Sequence, residues 1–236
     1  MQIQNSYTPI NFEGKVKFKR ASLFDRTKLC SFEVDHENLG PLKIQSEKTK
    51  KGRYAIRIHT KNYFGVANES FCMTNNDIYG VSVKTSEPHR GQHLGEISSL
   101  ATIITMLKNG IKEINLFSLD SAILFHSKYK FEPNITEARP AVVILKQMQC
   151  SKIKEFKVRA QEILANFKKN KNQEELCMAT NKLMAEYIAE TQADAKSIPN
   201  FYRYMGVDMH LTRENVIKNK DFFNALFEKH DIDYKI

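Results

Sequence analysis

One run of the sequence combines residue types suited to binding an anion: Arg90-Gly91-Gln92-His93-Leu94-Gly95. Apolar residues at three- and four-residue spacing follow it, so we expect a loop that opens a helix. The first N–H groups of a helix have no partners within the helix and carry partial positive charge. Glycines let a phosphate approach such a backbone closely, and Arg90 adds a full charge on a forked donor. The run therefore predicts a polyphosphate site over residues 90–95.

A second run, residues 122–131, contains two side chains able to donate a proton. His126 can exchange a proton near neutral pH, which suits a general acid. Tyr129 lies three residues further along and shares a helix face with it. For each of the two, a packing role in a half-buried helix is the alternative.

The first of these runs resembles the phosphate-binding motif of the GNAT superfamily of acyl-CoA-dependent N-acetyltransferases. The family pattern is Arg/Gln-x-x-Gly-x-Gly/Ala, between a strand and the following helix. Arg90 and Gly95 match its outer positions, and His93 stands where the family has its first glycine.

The second run resembles another pattern of that family, Ala-Ile-x-Leu-Tyr-x-Lys-x-Gly-Phe. Alanine, isoleucine, lysine and the final phenylalanine coincide over residues 122–131. His126 replaces the tyrosine, and Lys130 replaces the glycine. The resemblance covers roughly residues 78–148, and neither the first 77 residues nor the last third of the chain contains a family motif.

The resemblance implies a fold and a binding mode. The fold would be α/β, with a mixed, mostly antiparallel sheet and a splayed central strand pair at residues 81–85 and 114–119. Backbone groups of Val83 and Thr85 would pair with the pantetheine arm as an added strand does. The pyrophosphate would contact the loop residues Arg90, Gly91, Gln92, His93, Leu94 and Gly95.

The implied activity is transfer of an acetyl group from acetyl-CoA to an amine. The amine would attack the thioester directly, with both substrates held in one complex. Backbone N–H groups of the splayed strand would stabilise the oxyanion. His126, or Tyr129 in its place, would donate a proton to the leaving thiolate, as the family tyrosine does. The acceptor is left open: a small amine, a peptide N-terminus or a lysine.

The elements that must position these residues are predicted from hydrophobic periodicity. Before residue 90 the pattern alternates, which indicates strands around Phe18, Cys30–Val34, Leu42–Ile44, Tyr54–Ile58 and Ile78–Thr85. A helix should run from Leu94 to Asn109, with Gly110 as its C-cap. We further expect a strand at Glu113–Leu119, a short helix at Ser121–Lys128 and a buried strand at Ala141–Met148.

Beyond Cys150 the strand pattern fades and amphipathic helices follow. One helix contains Phe156 to Phe167, a second Leu176 to Ile188, and a third begins after an N-cap at Thr212. We therefore predict a GNAT-like domain over residues 1–150 and a helical extension over residues 151–236. The extension packs on the core or mediates a homodimer.

Composition narrows the classes of function. The net charge is +9, and the basic residues are densest over residues 43–61. A basic surface suits nucleic acid, an acidic protein or coenzyme A. Aromatic-basic repeats and zinc-ligand spacings are absent from the sequence, so nucleic acid is not favoured. The sequence has no apolar run long enough for a membrane span, no export signal and four scattered cysteines, which predicts a cytoplasmic protein with reduced thiols.

Two alternatives to catalysis stay open: a non-catalytic acyl-CoA-binding or interaction module on the same fold, and a basic nucleic-acid-associated protein. The substitutions at His93, His126 and Lys130 motivate the first. A metal site is not expected, because Glu87, His89 and His93 at a helix start have poor geometry for one. Glu96 lies in the first helical turn, where the helix dipole favours a negative side chain, so we do not expect it to relay a proton. We expect His210 and His230 to lie at the surface.

Overall fold

The computed structural model describes residues 15–23, 25–62, 65–119, 122–151, 153–193 and 206–236. The chain divides into two compact units. The first comprises the described parts of Met1–Asn76, Ser82–Ile111 and Ile217–Ile236. The second comprises Asp77–Val81 and the described parts of Lys112–Val216.

The first unit contains an antiparallel meander. Its strands are β1 Lys17–Arg20, β2 Lys28–His36, β3 Gly40–Lys48, β4 Tyr54–Thr60 and β5 Gly65–Met73, each paired with the next. The register places Phe32 beside Ile44 and Ile44 beside Ile58, so apolar side chains line one face. The opposite face carries polar side chains, which is the usual arrangement for a sheet with one solvated face.

Helix α1, Leu94–Asn109, covers the apolar face of this meander. Ile97, Leu100 and Ile104 are fully buried, as the helical spacing predicts. The helix ends at Gly110, whose φ of 66° is the left-handed C-cap expected from the sequence. The second half of strand β6, Asp77–Thr85, leads into this helix through residues 86–93.

The second unit is built on strand β7, Glu113–Leu119. The parallel pairing of β6 with β7 joins the first two residues of each strand, as a splayed pair predicts. On its other side β7 pairs along its whole length with β9, Gly206–Thr212, and β9 also pairs with the short β8, Glu132–Pro133. Both contacts of β9 are antiparallel, so the predicted α/β fold with a mixed, mostly antiparallel arrangement is confirmed.

The helices of the second unit are α2 Ile123–Lys128, α3 Ala138–Met148, α4 Lys154–Asn170, α5 Gln173–Ala193 and α6 Arg213–Lys218, which ends within the first unit. Helix α7, Lys220–Lys229, belongs to the first unit. The helices expected beyond Cys150 are therefore confirmed, although the third is divided in two. Thr212 acts as the predicted cap, because its hydroxyl accepts from the Asn215 N–H at 3.0 Å.

The buried strand predicted at Ala141–Met148 is wrong, because this segment is helix α3. Its buried residues Ala141, Ile144, Leu145 and Met148 have helical spacing, and Val143 is 48% exposed. A short apolar run does not separate a strand from a buried helix turn by periodicity alone. Ser121, the expected start of α2, lies outside the described residues.

Three strands were not predicted, one of which is the two-residue β8. Strand β5 contains Asn68, Glu69 and Ser70, which interrupt its apolar pattern. Strand β9 lies within the segment expected to be helical, and its apolar residues Val207, Met209 and Leu211 alternate with polar ones. Because β9 begins beyond residue 150 and pairs with β7, the helical extension also contributes a strand. The domain boundary near residue 150 stays a prediction.

Candidate active site

The loop between β6 and α1 is anchored to the first unit's sheet. Both the backbone N–H and the hydroxyl of Ser86 donate to the carbonyl of Val66 at 3.1 Å. A short 3₁₀ turn, Glu87–His89, follows, and Arg90 then returns to an extended conformation. The Arg90 side chain is 69% exposed, with its guanidinium 3.8 Å from the Glu87 carboxylate. A pair this exposed and this long leaves the Arg90 charge available to a ligand.

Two residues of the loop adopt left-handed backbone conformations. Gly91 has φ of 78°, and a Cβ there would meet no atom within 4 Å. His93, the N-cap of α1, has φ of 55°, which costs a non-glycine residue about 1 kcal/mol. Together these turns leave open space over Gly91 and set the helix start at Leu94. The first N–H groups of α1 belong to Leu94 and Gly95, which precede Ile97, whose N–H donates to the His93 carbonyl at 3.1 Å.

Gln92 fixes the middle of the loop. Its carbonyl lies 2.9 Å from Nε2 of His36, the last residue of β2. Its side-chain Oε1 is buried and has no hydrogen-bond partner among the described residues. Leu94, with 1% exposure, packs in the core, so its backbone rather than its side chain faces any ligand. The residues predicted for phosphate binding thus comprise the end of the loop, residues 90–93, and the first two residues of α1, Leu94 and Gly95.

The carboxylate of Glu96 is 2% exposed and lies among basic groups. Its Oε1 is 2.9 Å from both Lys229 Nζ and His230 Nε2, and its Oε2 is 3.3 Å from His93 Nδ1. His230 is only 9% exposed, so its predicted surface position is wrong. Sequence periodicity does not reveal this contact, because 134 residues separate its partners.

Strand β6 presents its last residues to solvent. Val83 is 39% exposed and Thr85 is half-buried, so both predicted pantetheine-binding positions are accessible. A pocket of about 450 Å³ adjoins this end of the strand. It is lined by Arg57, His59, Gly65, Val66, Ala67, Asn68, Lys84, Thr85, Ser86, Glu87 and Arg90. Thr85 and Arg90 therefore border both the loop and a pocket that the sequence did not predict.

His126 and Tyr129 lie in the second unit, on and just after α2. The His126 ring packs edge-on against Phe125 and Phe131, with centroids 5.2 and 5.5 Å away. Burial lowers the pKa of His126 to about 4, because charging the imidazole among apolar rings is unfavourable. At neutral pH the ring is therefore neutral. It can donate a hydrogen bond, but it is a poor source of a full proton transfer.

Tyr129 is 2% exposed, and its ring lies 4.8 Å from that of Phe125. The same unit also presents apolar side chains on β7, where Phe117 is 59% and Leu119 is 62% exposed. The Phe117 ring lies against Gly206 of β9, where a side chain would overlap it.

His210 lies 3.2 Å from Glu113 with its side chain 24% exposed, so it is only partly at the surface. Among the described residues, no group of three or more histidine, cysteine, aspartate or glutamate side chains has the geometry of a metal site. Within the same part of the chain, no helix combines the length and apolar character that crossing a membrane requires.

The chain was compared with known proteins. No protein-family model matches it, and no curated protein matches it in sequence. Solved structures do match over part of their length. One is a Klebsiella pneumoniae protein named as an acyl-CoA N-acyltransferase, with 17% identity, a TM-score of 0.34, and coverage of 38% of this chain and 65% of that one.

The names of two further similar structures state a family or an acceptor. An acetyltransferase of the GNAT family from Staphylococcus aureus has 18% identity and a TM-score of 0.32, covering 35% of this chain and 55% of that one. A spermidine/spermine N-acetyltransferase from Vibrio cholerae has 6% identity and a TM-score of 0.33, covering 36% and 54%. The chain thus spans between about half and two thirds of these structures. All three carry the names of acyl- or acetyltransferases.

Proposed function

We propose that this protein binds an acyl-CoA and transfers its acyl group, acetyl in the simplest case, to an amine. The loop over residues 90–95 carries this proposal. It combines a left-handed Gly91 in open space, the first N–H groups of α1 and the exposed Arg90 guanidinium. Such a combination suits a pyrophosphate, because backbone donors and a forked cation approach it together.

The residues before the loop suit the rest of the donor. Val83 and Thr85 end an accessible strand, and their backbone groups would pair with the two amides of the pantetheine arm. The strand would thereby hold the thioester in place for the amine, which lowers the entropic part of the barrier. Backbone N–H groups of the same strand would stabilise the oxyanion that forms on the carbonyl.

In the reaction, the neutral amine forms a bond to the thioester carbon and the C–S bond then breaks. The proton that the amine loses passes by way of solvent to the departing sulfur, which leaves as the free thiol of coenzyme A. His126 is neutral at pH 7, so we assign it hydrogen-bond donation to the sulfur rather than general acid catalysis. Tyr129 is the alternative donor.

The test of binding is thermal unfolding with acetyl-CoA. A ligand present at about 100 times its dissociation constant stabilises the native state by about 2.7 kcal/mol. We expect acetyl-CoA to stabilise the wild type, and Arg90→Ala to lose most of this stabilisation. Arg20→Ala, which replaces an exposed arginine at the end of β1, is the control and should be stabilised as much as the wild type. An absence of stabilisation at about 1 mM acetyl-CoA would rule out the proposal.

A non-catalytic acyl-CoA-binding module is the second candidate, and the apolar surroundings of His126 favour it. Release of free thiol from acetyl-CoA in the presence of a panel of amines separates the two. Stabilisation by acetyl-CoA without thiol release for any amine would identify the module. Thiol release that depends on one class of amine would identify the enzyme and its acceptor.

A further inference from the structure

The pocket of about 450 Å³ beside the end of β6 lies on the polar face of the first unit's sheet, opposite α1. Its walls come from β4, from the start of β5, and from residues 84–87 with Arg90. The volume lies within the range of small-molecule sites in proteins. None of the sequence patterns predicted it, because its residues come from three separate stretches of chain.

The charged side chains of the pocket are mostly cationic. Arg57, Lys84 and Arg90 line it, against the single carboxylate of Glu87. Arg57 uses its Nε to contact Glu47 at 2.6 Å, which leaves its terminal nitrogens for other acceptors. The contact between Glu87 and Arg90 is long and exposed, so it competes weakly with a ligand. An anionic group would therefore be attracted to this pocket.

His59, which lines this pocket, contains a buried polar atom. Nδ1 of His59 is buried and has no hydrogen-bond partner among the described residues. Gly65 lies beside it, and a Cβ at Gly65 would come within 3.9 Å of that nitrogen. The missing side chain keeps the pocket wall open next to the imidazole.

From these observations we infer that the pocket binds a compact oxyanion, a carboxylate or phosphate, carried by the amine acceptor. The identification of the anion's carrier as the amine acceptor rests on the proposed function, but the anion site itself does not. Lys84 and Thr85 belong to the strand assigned to the pantetheine arm, so an acceptor anchored here would lie beside the bound donor. With Arg90 bound to the pyrophosphate, a polyamine would still meet the like charges of Arg57 and Lys84, so cationic acceptors are disfavoured.

The direct test is titration of the full chain with inorganic phosphate by isothermal calorimetry, with the nonreactive analogue desulfo-coenzyme A at saturation. We expect phosphate to bind, and Lys84→Ala to weaken the binding at least tenfold. Arg57→Gln should also weaken phosphate binding. Lys19→Ala removes an exposed lysine of β1 that does not line the pocket, and it should leave the affinity unchanged.

The other outcomes each overturn a defined part of the inference. Phosphate binding that Lys84→Ala leaves intact, or no binding at all, would refute the anion site. Phosphate that binds the free protein but is displaced by desulfo-coenzyme A would show that the pocket holds a phosphate of the donor instead of the acceptor. If acetyl-CoA fails to bind while Lys84-dependent phosphate binding persists, the proposed function fails and the anion site stands.

Discussion

Glu96 and His230 are joined by a contact of 2.9 Å between Oε1 and Nε2, although they are 134 positions apart in the chain. Glu96 is in the first turn of α1, directly after the proposed phosphate loop, and His230 follows α7. Lys229 reaches the same oxygen. The end of the chain is therefore tied to the start of the helix on which the proposed donor site depends.

The first prediction concerns this contact. Glu96→Gln removes the charge from a carboxylate that is 2% exposed, and with it the charge-assisted bonds to Lys229 and His230. We expect a loss of about 2 kcal/mol in the free energy of unfolding, measured with urea. Glu228→Gln, an exposed glutamate of α7, is the matched control and should change stability by less than about 0.5 kcal/mol. Equal effects of the two substitutions would contradict the structural role of Glu96.

The second prediction concerns Glu69, which is fully buried under α1. Its carboxylate accepts from the hydroxyls of Ser98 and Thr102, both at 2.6 Å. Burial raises the pKa of Glu69, and the two hydroxyl bonds offset this only in part. A raised native pKa means that the stabilising contribution is complete below about 4.5, the unfolded value, and is lost as pH rises through the native value.

Glu69→Gln keeps a side chain of the same shape but removes the ionisation. We therefore expect the variant to gain stability relative to the wild type as pH rises from 4 to 8, measured as urea midpoints at each pH. Glu33→Gln, on an exposed position of β2, should show no such trend. A constant difference between wild type and Glu69→Gln across this range would show that the carboxyl does not change its protonation on unfolding.

Much of the fold follows from the sequence where local patterns agree with the packing. The alternation in β2, β3 and β4, the helical spacing of α1 and the glycine after it each predicted the observed element. These segments have one buried face, so their hydrophobic period matches their geometry. Loop 90–95 was predictable for the same reason, since it lies where a strand pattern changes to a helix pattern.

The remainder depends on contacts that the local sequence does not encode. Strand β5 was missed because a glutamate, Glu69, occupies a fully buried position that only the hydroxyls of α1 make tolerable. The pocket beside β6 and the partners of Glu96 come from segments far apart in sequence. For His126, the residue type was predicted but not its apolar environment, which changes its pKa and hence its chemistry.

The third prediction follows from that pKa. The native His126 titrates at about 4, against 6.5 for an ordinary histidine. Below pH 6.5 the unfolded chain therefore binds a proton at His126 that the native chain does not bind. The free energy of unfolding falls for this reason as pH drops from 6.5 towards 4. The loss attributable to His126 is about 3 kcal/mol. His126→Phe, which suits the neighbouring Phe125 and Phe131 rings, should lose less stability over this range than the wild type.

The measurement is a urea unfolding series at pH 7, 5.5 and 4 for both proteins, in which the other histidines contribute equally and cancel. The stability of His126→Phe relative to the wild type should rise as the pH falls. A direct NMR titration of His126 provides the check. A midpoint near 6.5 would overturn the assignment of a buried, neutral imidazole.

The last prediction separates His126 from Tyr129 in the proposed reaction. If the neutral imidazole donates a hydrogen bond to the departing sulfur, His126→Phe lowers kcat by about 100-fold and leaves the KM for acetyl-CoA nearly unchanged. The wild-type rate should then show no ionisation of His126 between pH 5.5 and 8, because this group titrates near 4.

Tyr129→Phe keeps the ring that packs against Phe125 and removes only the hydroxyl, so it tests the alternative donor with little loss of packing. A large fall in kcat in Tyr129→Phe with an unchanged rate in His126→Phe would transfer the role to the tyrosine. Unchanged rates in both variants would show that the sulfur leaves without help from either side chain.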